Sequence, residues 1–203
     1  MNFKVAPDTN QGKKMKKTLY LSVAMILFSA VYTSAQESTF NQNDNVVNLG
    51  IGFGGNLYSG TWYRDSEYSR MPVITLSYER CVVGNLFNEQ SAIGIGGLLG
   101  YTSAKYGNKA YGWTSTDIMI GARGAFHYAF VDKLDTYAGI MAGYNVNSRK
   151  WHGTWDDSIK STSSGLTYTA FAGARYYFAN AIAVFAELGY GYNVINAGIS
   201  VKF

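Results

Sequence analysis

From Val46 onward, apolar and polar positions alternate with a period of two, the spacing of a strand with two unlike faces. "VVNLGIGFG" places Val47, Leu49, Ile51 and Phe53 on one face and Asn48, Gly50, Gly52 and Gly54 on the other. "VITLSYER" sets Ile74, Leu76 and Tyr78 against Thr75, Ser77 and Glu79, and "AIGIGGLLGYT" sets Ile93, Ile95, Leu99 and Tyr101 against Gly94, Gly96, Leu98 and Gly100. "TDIMIGARGAFHYAF" opposes Ile118, Ile120, Ala122, Phe126, Tyr128 and Phe130 to Asp117, Met119, Gly121, Arg123 and His127. In "TYAGIMAGYNV" the pattern is weakest, and Ala138, Ile140, Ala142, Tyr144 and Val146 form the apolar face. "LTYTAFAGARYYF" presents Leu166, Tyr168, Ala170, Ala172, Ala174, Tyr176 and Phe178 against Thr167, Thr169, Gly173 and Arg175. "IAVFAELGYGY" presents Ile182, Val184, Ala186, Leu188, Tyr190 and Tyr192 against Glu187, Gly189 and Gly191. The chain ends on "AGISVKF", with Ala197, Ile199, Val201 and Phe203 opposite Gly198, Ser200 and Lys202.

These segments predict eight strands, mostly about 9–13 residues long, the length a tilted strand needs to cross a bilayer. The connections alternate: "GNLFNEQ", "VDKLD" and "AN" are short, whereas "NLYSGTWYRDSEYSR", "AKYGNKAYGWTS" and "NSRKWHGTWDDSIKSTSSG" read as long loops. The fourth outer connection, around residues 193–196, is short. Pro72 stands at a strand start, where a missing donor does little harm. The expected fold is all-β: an eight-stranded antiparallel transmembrane up-and-down β-barrel over residues 46–203, after a polar lead-in at 36–45. A soluble barrel also alternates, but it must cover its exterior with charge. Here the non-apolar face is mostly Gly, Ala, Ser and Thr, which suits the narrow interior of eight strands, and the apolar face suits lipid. Aromatic residues gather at the strand ends as girdles would: Phe130, Phe178 and Phe203 at one rim, and Tyr101, Tyr144, Tyr168 and Tyr192 at the other.

Charge adds a second signal. Residues 1–35 hold five of the seventeen basic residues and one of the thirteen acidic ones, so the remainder carries twelve of each. The net charge of +4 therefore belongs to the first segment and gives no reason to expect nucleic-acid binding. That segment reads as an export signal: "MKK" from Met15, an apolar run over residues 19–31, and small residues at Thr33 and Ala35 before Gln36. Cleavage is expected after Ala35, with either Met1 or Met15 as the initiator. An anchor helix is the competing reading; the run is short for one and lacks a basic stop-transfer flank. Cys81 is the single cysteine, so no internal disulfide forms, and its inward position reads as a small core residue.

The terminal stretch "NAGISVKF" resembles the recognition signal of bacterial outer-membrane proteins, matched by Asn196, Gly198, Val201 and Phe203. The whole mature chain is similar to small outer-membrane barrels of the OmpA/OmpX type, with a "SAQ" cleavage site and Gly/Tyr-rich strands resembling Bacteroidetes members. That resemblance implies the cell outer membrane, contact with its lipid and delivery by the barrel assembly machinery. It leaves the function open, because the family is mixed.

Two groups of residues carry candidate chemistry. Glu79, Arg123, His127, Arg175 and Glu187 fall on the inward face near the short turns, with Glu79, Arg123, Arg175 and Glu187 expected to share a charge network. Such charges must pair or stay hydrated, so they form either a polar plug or a proton or ion path. Trp62, Trp113, Trp151 and Trp155 lie in the long connections, together with Tyr58, Tyr63, Tyr68, Tyr106 and Tyr111. They are candidate anchors for an extracellular glycan or protein ligand; the alternatives are packing of the loops and resting in lipid headgroups. No pattern calls for a metal or cofactor. The enzymatic reading, a lipid-modifying histidine, is thin: His127 has no serine at a useful spacing, and His152 with Asp156, Asp157 and Ser158 shares a single loop. The function expected is a structural or surface-interaction role through the loops, with a small passive pore as the alternative and a lipid-modifying enzyme third.

Overall fold

The computed structural model describes residues 39–54, 68–107, 111–153 (the side chain of His152 apart) and 160–203. The expected export signal, Trp62, Trp155 and the cluster Asp156, Asp157 and Ser158 lie outside the described residues. All regular structure within them is strand: β1 (Asn45–Phe53), β2 (Tyr68–Arg70), β3 (Val73–Gly84), β4 (Ser91–Gly107), β5 (Tyr111–Val131), β6 (Leu134–Gly153), β7 (Lys160–Tyr177), β8 (Ile182–Tyr190) and β9 (Ile195–Lys202).

Sequential strands pair antiparallel, and β9 pairs with β1 from Val46↔Lys202 to Phe53↔Ile195, which closes the sheet on itself. Both β2 and β3 pair with β4, through Tyr68↔Tyr106 and Ile74↔Tyr101, so they are two parts of one ring strand. The break falls at Met71 and Pro72, where proline has no N–H to give the ladder. The Met71 N–H still reaches the Ser103 carbonyl (3.1 Å), and the Thr102 hydroxyl donates to the Met71 carbonyl (2.9 Å). The ring therefore has eight strands, and closure leaves no sheet edge along the paired span.

The expected two-faced pattern is the observed one along most of each strand. On β3, Val73, Thr75, Ser77, Glu79 and Cys81 are buried while Ile74, Leu76, Tyr78 and Arg80 are exposed. Outward Leu49, Ile120, Ile140, Leu166 and Leu188 are 58, 60, 72, 72 and 64% exposed. An apolar exterior of this extent is far beyond what water-soluble monomers present. On β5 the outward apolar residues run from Ile118 to Phe130, twelve steps. At ~3.3 Å per step and a tilt near 45°, that is a band about 28 Å tall, close to the ~25 Å belt of membrane barrels.

Three expectations need correction. First, β4 to β7 are 17, 21, 20 and 18 residues long, not 9–13. Two stretches that read as long loops are instead hairpin extensions of these strands, with β4 and β5 joined by residues 108–110 and β6 and β7 by 154–159. Above the apolar band both faces meet polar surroundings, so alternation fades while backbone pairing continues. Second, Tyr192 is not a rim aromatic. β8 ends at Tyr190, Gly191 adopts φ +128°, and Tyr192 turns inward to pack on Val73, Leu98, Met119 and Met141 at 2% exposure. Third, the lead-in is not merely polar. Phe40 is buried with Val46, Cys81 and Ala92, and the segment is pinned by the Lys202 ammonium donating to the Thr39 carbonyl (3.0 Å).

Candidate functional site

The lumen near the start of β1 and the end of β9 is filled by charge. Alternation on β3, β5, β7 and β8 turns Glu79, Arg123, His127, Arg175 and Glu187 inward, and β6 adds Asp135 and Tyr137. Gly94 on β4 makes room for Glu79: a Cβ there would lie 2.6 Å from the carboxylate Oε1. Arg175 donates through Nη2 to Glu79 and through Nη1 to Asp135 Oδ2 (2.9 Å). His127 lies between the same two carboxylates, with Nδ1 2.9 Å from Asp135 Oδ1 and Nε2 3.0 Å from Glu79 Oε1. Glu79, Arg175, Asp135 and His127 thus form a closed ring of four groups, each at most 1% exposed.

A second cluster sits alongside. Arg123 donates to Glu187 Oε1 at 2.7 Å, and that oxygen also accepts the Tyr137 hydroxyl (3.0 Å). The other Glu187 oxygen faces Asn196 Nδ2 at 3.4 Å, and Asn196 Oδ1 accepts from the Thr75 hydroxyl (3.1 Å). Tyr137 links the clusters, because the Arg175 guanidinium lies 4.5 Å over its ring. Phe171 lies under Arg123 (4.1 Å), and Phe40 covers His127 at the terminal end, with ring centroids 4.3 Å apart. Cationic groups over aromatic faces gain where water is excluded.

Glu79, Asp135 and His127 are metal-ligand types, but the Arg175 guanidinium bridges the two carboxylates. Among the described residues no group of such side chains is arranged to hold a metal ion. Both His127 ring nitrogens are engaged by carboxylates, so neither is free to serve as a base toward a hydroxyl nucleophile.

The four charges singled out in the sequence are brought to one region, but Arg175 and Glu187 do not pair across the β7–β8 turn. Arg175 stands opposite Phe185 and Glu187 opposite Gly173; Arg175 meets Asp135 directly opposite on β6, while Arg175–Glu79 and Arg123–Glu187 join strands that are not neighbours. Sequence reasoning missed Asp135, Tyr137 and Phe40. Asp135 is hidden in "VDKLD", which reads as a turn; the turn is only Asp132 and Lys133, with Lys133 at φ +65°. Counting back from Tyr137 by two places Asp135 inward.

At the other end, the mouth, the hairpin extensions rise as a wall above the ring. Trp113 and Trp151 are directly opposed on β5 and β6, with centroids 6.5 Å apart at 86°, and Tyr106 meets Trp113 at 6.1 Å and 89°. Trp113 and Asp117 share a face, as do Trp151 and Asn147, and lower down this face lines the lumen. The two tryptophans therefore pack against each other on the face of the wall that continues the lumen. Below them Asp117 Oδ1 accepts from Asn147 (2.9 Å) and Asn145 (3.2 Å). A cavity of about 300 Å³ opens beside them, lined by Asn145, Asn147, Ser163, Thr167 and Tyr192 among others.

The terminal-signal residues have structural partners of their own. Asn196 belongs to the Glu187 cluster, and a Cβ on Gly198 would collide with the Leu49 carbonyl. Phe203 is outward and 70% exposed, while its backbone exchanges two 2.9 Å hydrogen bonds with Asn45.

With this geometry in place, the fold is similar to that of several solved proteins. Ail, the attachment invasion locus protein of Yersinia pestis, is 9% identical with a TM-score of 0.46, over 80% of this chain and 99% of that one. It is also solved with the heparin analogue sucrose octasulfate (10% identity, TM-score 0.49, 80% and 99% covered). The N-terminal β-barrel domain of OprF from Pseudomonas aeruginosa is 15% identical (TM-score 0.41, 80% and 98%), and OprG from the same organism is 8% identical (TM-score 0.39, 82% and 99%). All are outer-membrane β-barrel proteins. At these identities the likeness is one of fold alone. No protein-family model and no curated protein sequence matches the chain.

Proposed function

We propose that this chain is an integral β-barrel of the bacterial outer membrane, with a sealed lumen and a structural or surface-interaction role at its mouth. The observation that carries the reading is the four-membered ring of Glu79, Arg175, Asp135 and His127, lying across the lumen with Phe40 beneath it. Eight strands enclose a space that side chains just fill, and here they fill it with paired charge. A permeant ion would have to break that ring. Function then falls to the surfaces outside the seal: the apolar belt toward lipid, and the wall carrying Trp113 and Trp151 toward an extracellular glycan or protein. In this reading the terminal strand, with Asn196, Gly198, Val201 and Phe203, is the segment presented to the assembly machinery.

Single-channel recording in planar bilayers is the deciding experiment. The sealed reading expects no unitary conductance from the intact protein. Stable channels from a heat-modifiable, correctly folded sample would replace it with the passive-pore reading. Recovery of the protein as a soluble periplasmic species would overturn the membrane assignment itself.

A further inference from the structure

Strand register lines up an unusual row on the outer, lipid-side face of the wall. Lys105 on β4 stands opposite Thr114 on β5, Thr114 opposite Lys150 on β6, and Lys150 directly opposite Lys160 on β7. Alternation fixes the face, because these residues lie four positions beyond outward Tyr101, Ile118 and Val146. All three lysines are exposed. Like charges directly opposed on neighbouring strands destabilise a sheet. Among the described residues no carboxylate pairs with any of the three. Asp117, the described acid nearest along these strands, belongs to the opposite, lumen-side face, where Asn145 and Asn147 satisfy it.

The row's height points to a counter-charge outside the described residues. Between it and the last apolar row lies one row of hydroxyls, Ser103 opposite Thr116 opposite Ser148 opposite Thr162. Four residues at ~3.4 Å each, tilted near 45°, put the lysine backbone about 10 Å above the apolar belt. Lysine stems bend toward the interface while their ammonium groups stay polar. The ammonium groups therefore meet the headgroup layer of the outer leaflet, over a bed of hydroxyl donors.

We propose that Lys105, Lys150 and Lys160, with the Ser103–Thr116–Ser148–Thr162 row beneath them, form a binding site for the phosphate groups of an outer-leaflet glycolipid. The site explains why a like-charge pair is kept on this face: the lipid phosphate neutralises it. The inference rests on the membrane reading proposed above, and it gives the wall's outer face a partner distinct from anything met at its inner face.

The test places the full mature protein in phosphatidylcholine nanodiscs doped with diphosphorylated lipid A, or with the same lipid A after phosphatase treatment, and measures bound glycolipid by native mass spectrometry. Loss of three lysine–phosphate contacts, each weakened by screening, leads to at least a tenfold loss of bound phosphorylated lipid A in the K105Q/K150Q/K160Q variant. Lys133→Asn, which removes a charge at the opposite end of the barrel, leaves retention unchanged. Dephosphorylated lipid A binds wild type and variant alike, and millimolar inorganic phosphate does not displace the glycolipid. Equal retention by the triple variant overturns the proposal, as does equal retention of the dephosphorylated lipid. Displacement by inorganic phosphate would mean a free-anion site and would also overturn it. A protein that never inserts into the discs fails the membrane reading instead, which separates the two claims. A second measurement does not depend on the triple variant folding. Lys150→Gln alone should raise the urea midpoint in pure phosphatidylcholine, where the Lys150–Lys160 repulsion is unrelieved, and lower it when phosphorylated lipid A is present. The same sign of change in both membranes would refute the site.

Discussion

Replacing Arg175 by methionine isolates what the sealed lumen is worth to the fold. The side chain is fully buried, and its two partners, Glu79 and Asp135, are 0 and 1% exposed. Methionine keeps most of the aliphatic volume and removes the guanidinium, so two carboxylates are left with only His127 between them. Removing one partner of a buried ion pair costs ~3–5 kcal/mol, mainly because the remaining charge cannot be solvated. Here one arginine serves two carboxylates, which puts the expectation at the upper part of that range. With a urea slope of ~2 kcal/mol per molar, the unfolding midpoint in phospholipid vesicles should fall by about 2 M. Tryptophan fluorescence reads the transition. The control removes the charges that are stranded: Arg175→Met in a Glu79→Gln, Asp135→Asn background should recover more than half of the loss, because amides need no counter-ion. The same Arg175→Met protein should also show conductance events in planar bilayers that wild type lacks. A midpoint shift below ~0.5 M, or no recovery in the neutralised background, would refute the reasoning that the ring is a mutually dependent set of buried charges.

Three further outcomes follow from the same geometry. Phe40→Ala should cost about 3 kcal/mol as a buried aromatic truncation, and should expose Cys81, whose Sγ lies 3.9 Å from the Phe40 carbonyl, to a water-soluble maleimide that leaves the folded wild type unlabelled. Gly94→Ala drives a methyl against the Glu79 carboxylate and should destabilise by ~1–3 kcal/mol, whereas Gly165→Ala, with nothing within 4 Å of the added carbon, should be close to neutral in the same urea titration. Phe203→Asp should lower the outer-membrane level of the protein without changing the fold of the molecules that do assemble; normal levels on quantitative blotting would remove the case for a terminal assembly signal.

How much of this is legible in the sequence depends on where the side chains meet lipid. Within the apolar band each strand has one face in lipid and one in a crowded lumen, so hydropathy must alternate, and counting in twos places Glu79 and Arg175 inward. Pairing across the lumen cannot be counted. Alternation gives a face, and the β6–β7 register sets Arg175 directly opposite Asp135, whereas the Arg175–Glu79 and Arg123–Glu187 contacts depend on how far the ring is sheared. Above the band the signal changes kind. Ser103, Thr116, Ser148 and Thr162 are polar outward residues on paired strands, indistinguishable by hydropathy from a loop, because water accepts both faces and only the backbone ladder holds the strands.

Tyr192 fails for the opposite reason. Its hydropathy fits the outward series of β8, and what overrides the series is one backbone angle at Gly191. A residue with φ +128° is outside the strand region, so the parity of every position after it resets. The inward space for the ring is provided by another strand. Gly100 on β4 gives up its side chain where the Tyr192 ring lies, and a Cβ at that glycine would stand only 2.7 Å from Tyr192 Cε1. A glycine on the lumen face therefore carries two meanings that a single sequence does not separate: room for a neighbour, as at Gly94 for Glu79 and Gly100 for Tyr192, or plain narrowness of the barrel. Only the neighbour tells them apart, on the adjacent strand for Glu79 and across the lumen for Tyr192, and that neighbour is set by register, which the sequence encodes in the ring as a whole rather than in any one strand.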